Sequence, residues 1–331
     1  MQVTVIGAGA WGTTLAALLA GKDLPVRLWV REPELADAIA RTHVNSVFLK
    51  DVPLPKTLRA TSDLAEAVAD AEMLVMAVPS RWTRLSAREL AAVLPSSAPP
   101  LLTVTKGLEI ATGKRMSEIV AEEAPALPAI AALSGPNLAP EIAHGFPAAT
   151  VIAGADSDFV HRAQDLFMTP LFRPYTSRDI VGVEICGAVK NVIAIAAGIC
   201  EGLGYGDNAR AALLTRAMTE IGRLVRCLGG QSETVAGLSG IGDLIATCSS
   251  PISRNHRVGL AIGRGEDYRT ALGDSGQVAE GVPTTEGVVA LARRLGVELP
   301  ICEQVYAMLF EGRAAADATR ALMTRDVKAE G

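Results

Sequence analysis

At 331 residues, with 49% hydrophobic and 20% charged side chains, the chain is long enough for two domains and able to bury a large core, which excludes extended disorder. A net charge of −5 without any block of five or more basic residues excludes the electrostatic footprint of a nucleic-acid binder or an anionic-membrane binder. The cysteines Cys186, Cys200, Cys227, Cys248 and Cys302 are scattered and never in C-x-x-C spacing, so neither a disulfide framework nor a zinc site is indicated and a reducing cytoplasm is expected.

Residues 2–6 read as a short β-branched strand that runs into Gly7-x-Gly9-x-x-Gly12 and then into an Ala/Leu-rich helical segment at 15–20. That order of strand, glycine turn and helix is the context a dinucleotide fingerprint requires. The first glycine permits the tight turn, the second lets backbone approach a pyrophosphate, and the third allows close packing at the positive end of the helix. Met1 leads into this strand with no basic or apolar leader, so no signal peptide is expected. A second strand is predicted at 26–30, and Arg31-Glu32 follows where such a fold meets the adenosine ribose. Glu32 would bond a 2′-hydroxyl and favour NAD, whereas Arg31 would pair with a 2′-phosphate and favour NADP; the sequence leans to NADP or to use of both.

Further apolar β-type runs at 73–78, 101–105, 129–133 and 150–153 alternate with helical patterns, the rhythm of βαβ units in a parallel sheet. Ligands bind such sheets at strand carboxyl ends, which draws attention to Val78-Pro79-Ser80, Lys106-Gly107 and Ser134-Gly135-Pro136-Asn137. Lys106 closes a buried strand and either faces that crevice or reaches water. From about Asp179 the strand rhythm stops, and helical periods follow at 185–200, 209–228, 232–238, 254–263, 284–295 and 301–311. The expected architecture is α/β: an N-terminal Rossmann-type parallel-sheet domain at 1–178, then an all-α domain at 179–331.

The run 185–200 falls short of a membrane span and carries Lys190 and Asn191 at its centre, so it reads as a buried helix and no membrane insertion is expected. Every other side chain in that run is apolar or absent. An ammonium there is costly unless a reaction or an ion pair uses it, which makes Lys190 the leading candidate for proton transfer. Asp243, the one charge in Gly240-Ile241-Gly242-Asp243-Leu244, is a candidate partner, or else a cap for the helix that follows. Ser253-Arg254-Asn255 comes just after Pro251 and opens a helix whose N–H groups, with a guanidinium, suit a phosphate. The four histidines show no metal or triad spacing, no metal is expected, and no G-x-S-x-G or Walker sequence supports a hydrolase or kinase.

Taken in order, residues 7–12, Val78-Pro79-Ser80, Thr105-Lys106-Gly107-Leu108-Glu109, Ser134-Gly135-Pro136, Gly187-Ala188-Val189-Lys190-Asn191, residues 240–244, Ser253-Arg254-Asn255 and Glu280-Gly281 resemble bacterial NAD(P)-dependent glycerol-3-phosphate dehydrogenases over essentially the whole chain. The resemblance implies reversible hydride transfer between NADPH or NADH and dihydroxyacetone phosphate, giving sn-glycerol 3-phosphate for phospholipid synthesis in a cytoplasmic homodimer. It implies Lys190 as general acid/base, Lys106 and Asn191 orienting the same oxygen, and Asp243 holding Lys190. Thr247, Ser253, Arg254 and Asn255 would meet the phosphate, and Gly135 and Asn137 would line the substrate end. The cofactor set would be Gly7, Gly9, Ala10, Trp11, Gly12, Arg31, Lys106, Ala139, Arg254, Val278 and Glu280.

Two positions depart from the family's usual form. Asn137-Leu138 replaces a small hydroxyl residue and Phe, which touches substrate affinity, and Ala10 replaces a frequent Ser, which removes one side-chain bond to cofactor. The alternatives are a sibling hydroxyacid or opine-type dehydrogenase and a dinucleotide sensor without catalysis.

Overall fold

The computed structural model describes residues 1–269 and 279–326. Contacts divide the chain into two compact units, Met1–Lys106 with Arg115–Glu184, and Gly107–Lys114 with the chain from Ile185 onward. The division falls inside the continuous helix Ile180–Gly202, past the 178/179 boundary expected from the sequence. Glu184 explains the offset. Its carboxylate accepts from Ser117 N at 2.9 Å, Ser117 Oγ at 2.5 Å and Arg115 Nη1 at 2.6 Å, tying the first turn of that helix to the start of the helix Met116–Glu123.

The first unit is built on β1 (Val3–Ile6), β2 (Val26–Trp29), β3 (Val44–Asn45), β4 (Leu49–Pro53), β5 (Leu58–Thr61), β6 (Met73–Met76), β7 (Leu101–Thr103), β8 (Ile130–Ser134), β9 (Ala148–Gly154) and β10 (Phe172–Ser177). Eight of them form one sheet in the order β10-β9-β8-β7-β6-β1-β2-β5, while β3 and β4 pair apart as an antiparallel hairpin. β1 lies inside the sheet, with its sequence neighbour β2 on one side and β6 on the other. That reversal of order opens the crevice where doubly wound sheets take their ligands. Alternation sorts the side chains: Val3 and Val5 join a core with Leu15, Leu19, Leu28 and Phe167, and Ile6 joins a second core with Leu74, Met76, Leu90 and Leu101.

Every pairing in the large sheet is parallel except β8 with β9, so the expected all-parallel sheet is corrected at that pair. No helix separates β8 from β9 beyond the five residues Ala139–Ala143, too little for the crossover a parallel neighbour requires. The hairpin, β5 and β10 are strands the hydrophobic rhythm does not announce.

Among the described residues the second unit contains no strand. Its helices are Ile180–Gly202 from residue 185 on, Asp207–Cys227, Ser232–Val235, Asp243–Ser249, Arg254–Gly263, Gly281–Leu295, Pro300–Phe310 and Ala315–Met323. Ile180–Gly202 is long and apolar enough to cross a membrane by length and composition, which corrects the shorter run read from the sequence, and 89% of its most apolar window is buried inside the protein. Arg254–Gly263 lies hard against it. A Cβ on Gly259 would stand 1.9 Å from Ile195 O, and one on Gly198 would stand 2.0 Å from His256 O, so only glycine allows this backbone-to-backbone approach.

Candidate active site

In the first unit the fingerprint turn is shaped by contacts its glycines alone permit. Gly7 has φ +110° and a Cβ there would meet Ala77 O at 2.8 Å, and a Cβ on Gly12 would fall 2.0 Å from Gly7 O. At Gly9, by contrast, a Cβ would meet nothing within 4 Å. The backbone there fronts open space at the start of the helix Ala10–Ala20, whose first N–H groups have no partner within the helix. This is the cradle a dinucleotide pyrophosphate requires, and the residues present fit it. Asn45, fully buried in β3, holds the turn by donating to Ala8 O and Thr13 Oγ1, both at 2.8 Å. That role is not readable from the sequence, since a single asparagine between Val44 and Ser46 carries no pattern. Trp11 packs edge-on against Phe172, with ring centroids 6.5 Å apart.

The segments after β6, β7 and β8 share the carboxyl edge of three mutually parallel strands. Thr105 Oγ1 donates to Val78 O at 2.7 Å, and Lys106 Nζ donates to Gly135 O at 2.9 Å, so the three expected loops do converge. Gly135 turns at φ +149° against Thr150, whose hydroxyl donates to Ser134 O at 2.9 Å and accepts from Asn137 Nδ2 at 3.0 Å. Ser134 Oγ and Asn137 Oδ1 are buried without a hydrogen-bond partner among the described residues, acceptors and donors suited to a polar ligand. Ala139 is buried, and its carbonyl accepts from Thr14 Oγ1 at 3.3 Å. Arg31 follows β2, exposed and ion-paired to Glu32 at 3.4 Å.

In the second unit Lys190 is only 6% exposed, and its Nζ lies 3.0 Å from Asp243 Oδ1 and 2.6 Å from Thr247 Oγ1. Thr247 in turn donates to the same Asp243 oxygen at 3.1 Å, which closes a three-membered polar cluster in apolar surroundings. Asp243 stands at the first position of the helix Asp243–Ser249, with Gly242 as its cap, so the lysine partnership takes precedence over the capping role weighed from the sequence. The preceding π-type turn Leu238–Gly242 brings Gly240 so close to Val235 O that a Cβ would clash at 2.0 Å. Burial pushes the neighbouring Cys248 thiol up to about 12, with Lys190 pulling down and Asp243 up, so it stays a neutral filler beside the pair.

Asn191 and Asn255 form a second buried link. Asn255 Nδ2 donates to Asn191 Oδ1 at 2.9 Å, and Asn255 Oδ1 accepts from Gly281 N at 2.9 Å. Asn255 thereby joins the lysine-bearing helix to the start of Gly281–Leu295, beside Glu280. Ser253 caps Arg254–Gly263 by accepting from His256 N at 3.3 Å. Arg254 opens that helix with an exposed side chain; desolvation by the surrounding protein lowers its guanidinium from the usual arginine range, with Glu280 opposing the shift and Arg257 adding to it. Val278 lies outside the described residues.

A turn built for a pyrophosphate and a buried lysine held by a carboxylate belong together in dehydrogenases that use a nicotinamide cofactor. Comparison with known proteins narrows the class. Residues 2–160 match the NAD-dependent glycerol-3-phosphate dehydrogenase N-terminus and residues 179–320 the C-terminus of the same family. The glycerol-3-phosphate dehydrogenase [NAD(P)+] of Chlorobium limicola is 47% identical over 100% of this chain and 99% of its own length, and that of Moorella thermoacetica is 47% identical over 98% and 96%. The crystal structure of glycerol-3-phosphate dehydrogenase from Coxiella burnetii superposes with a TM-score of 0.94 at 39% identity, covering 98% of this chain and 99% of that one. The chain belongs to the NAD-dependent glycerol-3-phosphate dehydrogenase family and is an NAD(P)-using oxidoreductase.

Proposed function

We propose that in the reversible reduction of dihydroxyacetone phosphate to sn-glycerol 3-phosphate, Lys190 is the general acid that protonates the carbonyl oxygen and the base that takes the proton back. The bound nicotinamide supplies or accepts the hydride at the adjoining carbon. Asp243 and Thr247 hold the Lys190 ammonium in one place, so its proton is aimed before substrate arrives. Lys106 and Asn191 orient the oxygen, Arg254, Ser253 and Asn255 bind the phosphate, and Gly135 and Asn137 line the substrate end. Gly7, Gly9, Ala10, Trp11, Gly12, Arg31, Ala139, Val278 and Glu280 serve the cofactor. Residues 1–178 are thus the dinucleotide-binding part and residues 179–331 the substrate-binding and catalytic part, in a cytoplasmic homodimer that supplies a phospholipid precursor. Sedimentation of the purified protein as a monomer would remove the dimer from this assignment.

The Lys190–Asp243–Thr247 cluster carries the proposal, because it holds a costly buried ammonium in one direction, the arrangement that proton transfer to a bound carbonyl oxygen would use. The test follows nicotinamide absorbance with dihydroxyacetone phosphate. Lys190→Ala should lose about 100- to 10,000-fold in kcat, the usual worth of general acid–base catalysis, while retaining cofactor affinity. Turnover within a few-fold of wild type would assign the proton transfer elsewhere.

A further inference from the structure

Trp82 ends the short 3₁₀ turn Ser80–Trp82 that follows β6, and its large ring is 37% exposed. Two guanidinium groups converge on it: the Arg31 Cζ lies 5.5 Å from the ring centroid and the Arg81 Cζ 5.4 Å. They come from different strands. Arg31 follows β2 and Arg81 follows β6, the two neighbours of β1 in the sheet, so the pair brackets the carboxyl edge at the fingerprint turn. Holding two like charges on one indole is unfavourable unless anions offset them. Arg31 has Glu32 at 3.4 Å. Along the turn and the helix after it, Arg84 and Arg88 are paired with Glu122 and Glu123, whereas Arg81 has no ion pair among the described residues. The cluster Arg31, Glu32 and Arg81 therefore presents one uncompensated positive charge beside an exposed aromatic face.

We propose that Arg81 is the specificity-determining residue for the cofactor: with Arg31, it grips the 2′-phosphate of NADP(H) beside the Trp82 face, and the enzyme prefers NADP(H) to NAD(H). This rests on the cofactor assignment made above and goes beyond it by naming which nucleotide is chosen and what chooses it. A 2′-phosphate near neutral pH carries up to two negative charges, matched by two guanidinium forks with planar donors and by neither alone. The 2′-hydroxyl of NAD offers no charge for Arg81, and the carboxylate that would accept its proton, Glu32, is engaged with Arg31. Cation–π attraction to Trp82 holds both guanidinium groups near its ring, which lowers the entropy lost when the phosphate is bound.

Titration calorimetry of the wild type with NADP+ and with NAD+, and with adenosine 2′,5′-bisphosphate against ADP, reads the preference without turnover. NADP+ should bind at least about tenfold more tightly, and Arg81→Ala should weaken NADP+ and the bisphosphate by about 10- to 100-fold, the range for a charge-assisted hydrogen bond, while NAD+ and ADP change far less. Arg81→Lys should recover part of the loss, and the NADP+ advantage should shrink with added salt. Equal affinity for the two cofactors in the wild type, or an equal loss for both in Arg81→Ala, would overturn the proposal; the second result would make Arg81 a prop for Trp82. A wild type that binds NADP+ through Arg81 yet turns over no dihydroxyacetone phosphate would sink the catalytic assignment and leave this one standing.

Discussion

Thr247 has one hydroxyl that accepts from Lys190 and donates to Asp243, so it fixes both the distance and the direction of that ion pair. Family resemblance suggests a phosphate contact for this residue, and its bonds to Lys190 and Asp243 support a positioning role in the proposed proton transfer. Thr247→Val keeps shape and removes both bonds, leaving a buried ammonium with Asp243 as its partner in this cluster. The variant should lose about 10- to 100-fold in kcat, the worth of a hydrogen bond to a charged group, with little change in NADP+ affinity. An unchanged kcat would show that Asp243 alone orients Lys190. Lys190 and Asp243 were legible in the sequence because a charge amid apolar residues breaks a pattern. Thr247, Asn45 and Trp82 were not legible as to role, since a threonine, asparagine or tryptophan is ordinary at any one position and acquires meaning only from neighbours distant in the chain.

Elements whose apolar residues repeat over many positions were read from the sequence with nearly their observed ends, as in Arg254–Gly263 and Pro300–Phe310. The strands it left out have physical reasons for silence. β4 and β5 are short and carry Lys50, Asp51 and Arg59, and β10 is an edge strand that tolerates Pro174, so none shows a run of buried residues. Contacts between elements were equally silent in the sequence, and Glu220 is the clearest case. This nearly fully buried residue of Asp207–Cys227 accepts from Ile301 N at 2.7 Å and so caps Pro300–Phe310, whose own cap position, Leu299, offers no side-chain bond. Burial pushes its carboxyl up to about 7, against the opposing pull of the Ile301 and Cys302 N–H groups. The folded value lies above the ordinary 4.5, so between the two the unfolded chain is ionised while the fold retains its proton. The stabilisation from this group is therefore full below the lower value and is lost as pH rises through the higher one. Glu220→Gln keeps an acceptor and removes the titration. The stability advantage of wild type over the variant, measured by urea unfolding, should be greatest near about pH 4 and smallest near about pH 8. A difference that does not vary with pH would mean Glu220 is ionised in the fold throughout.

At the scale of the whole molecule, a chain with net charge −5 binds an anionic substrate and an anionic cofactor. Screening resolves the conflict, because charges beyond roughly 8–10 Å contribute little at physiological salt and the nearest cations decide the local field. In the proposal for the first unit these are Arg31, Arg81 and Lys106. In the second they are Lys190 and Arg254, the former neutralised by Asp243 and the latter opposed by Glu280. On the proposed assignment Arg254 faces the phosphate, at the first position of a helix whose N–H groups favour the same charge. If its attraction served only to hold substrate, it would lower KM and leave kcat alone. A phosphate fixed at one end of a three-carbon substrate also restricts where the central carbonyl can lie, so part of that binding energy is expressed only when the carbonyl is aligned for reaction. Arg254→Ala should accordingly raise KM for dihydroxyacetone phosphate and lower kcat together. Unphosphorylated dihydroxyacetone should react poorly with wild type even at saturation, and should be affected much less by the substitution. A variant with raised KM and unchanged kcat would show that the phosphate grip is uniform binding, and that alignment of the carbonyl comes from elsewhere in the protein.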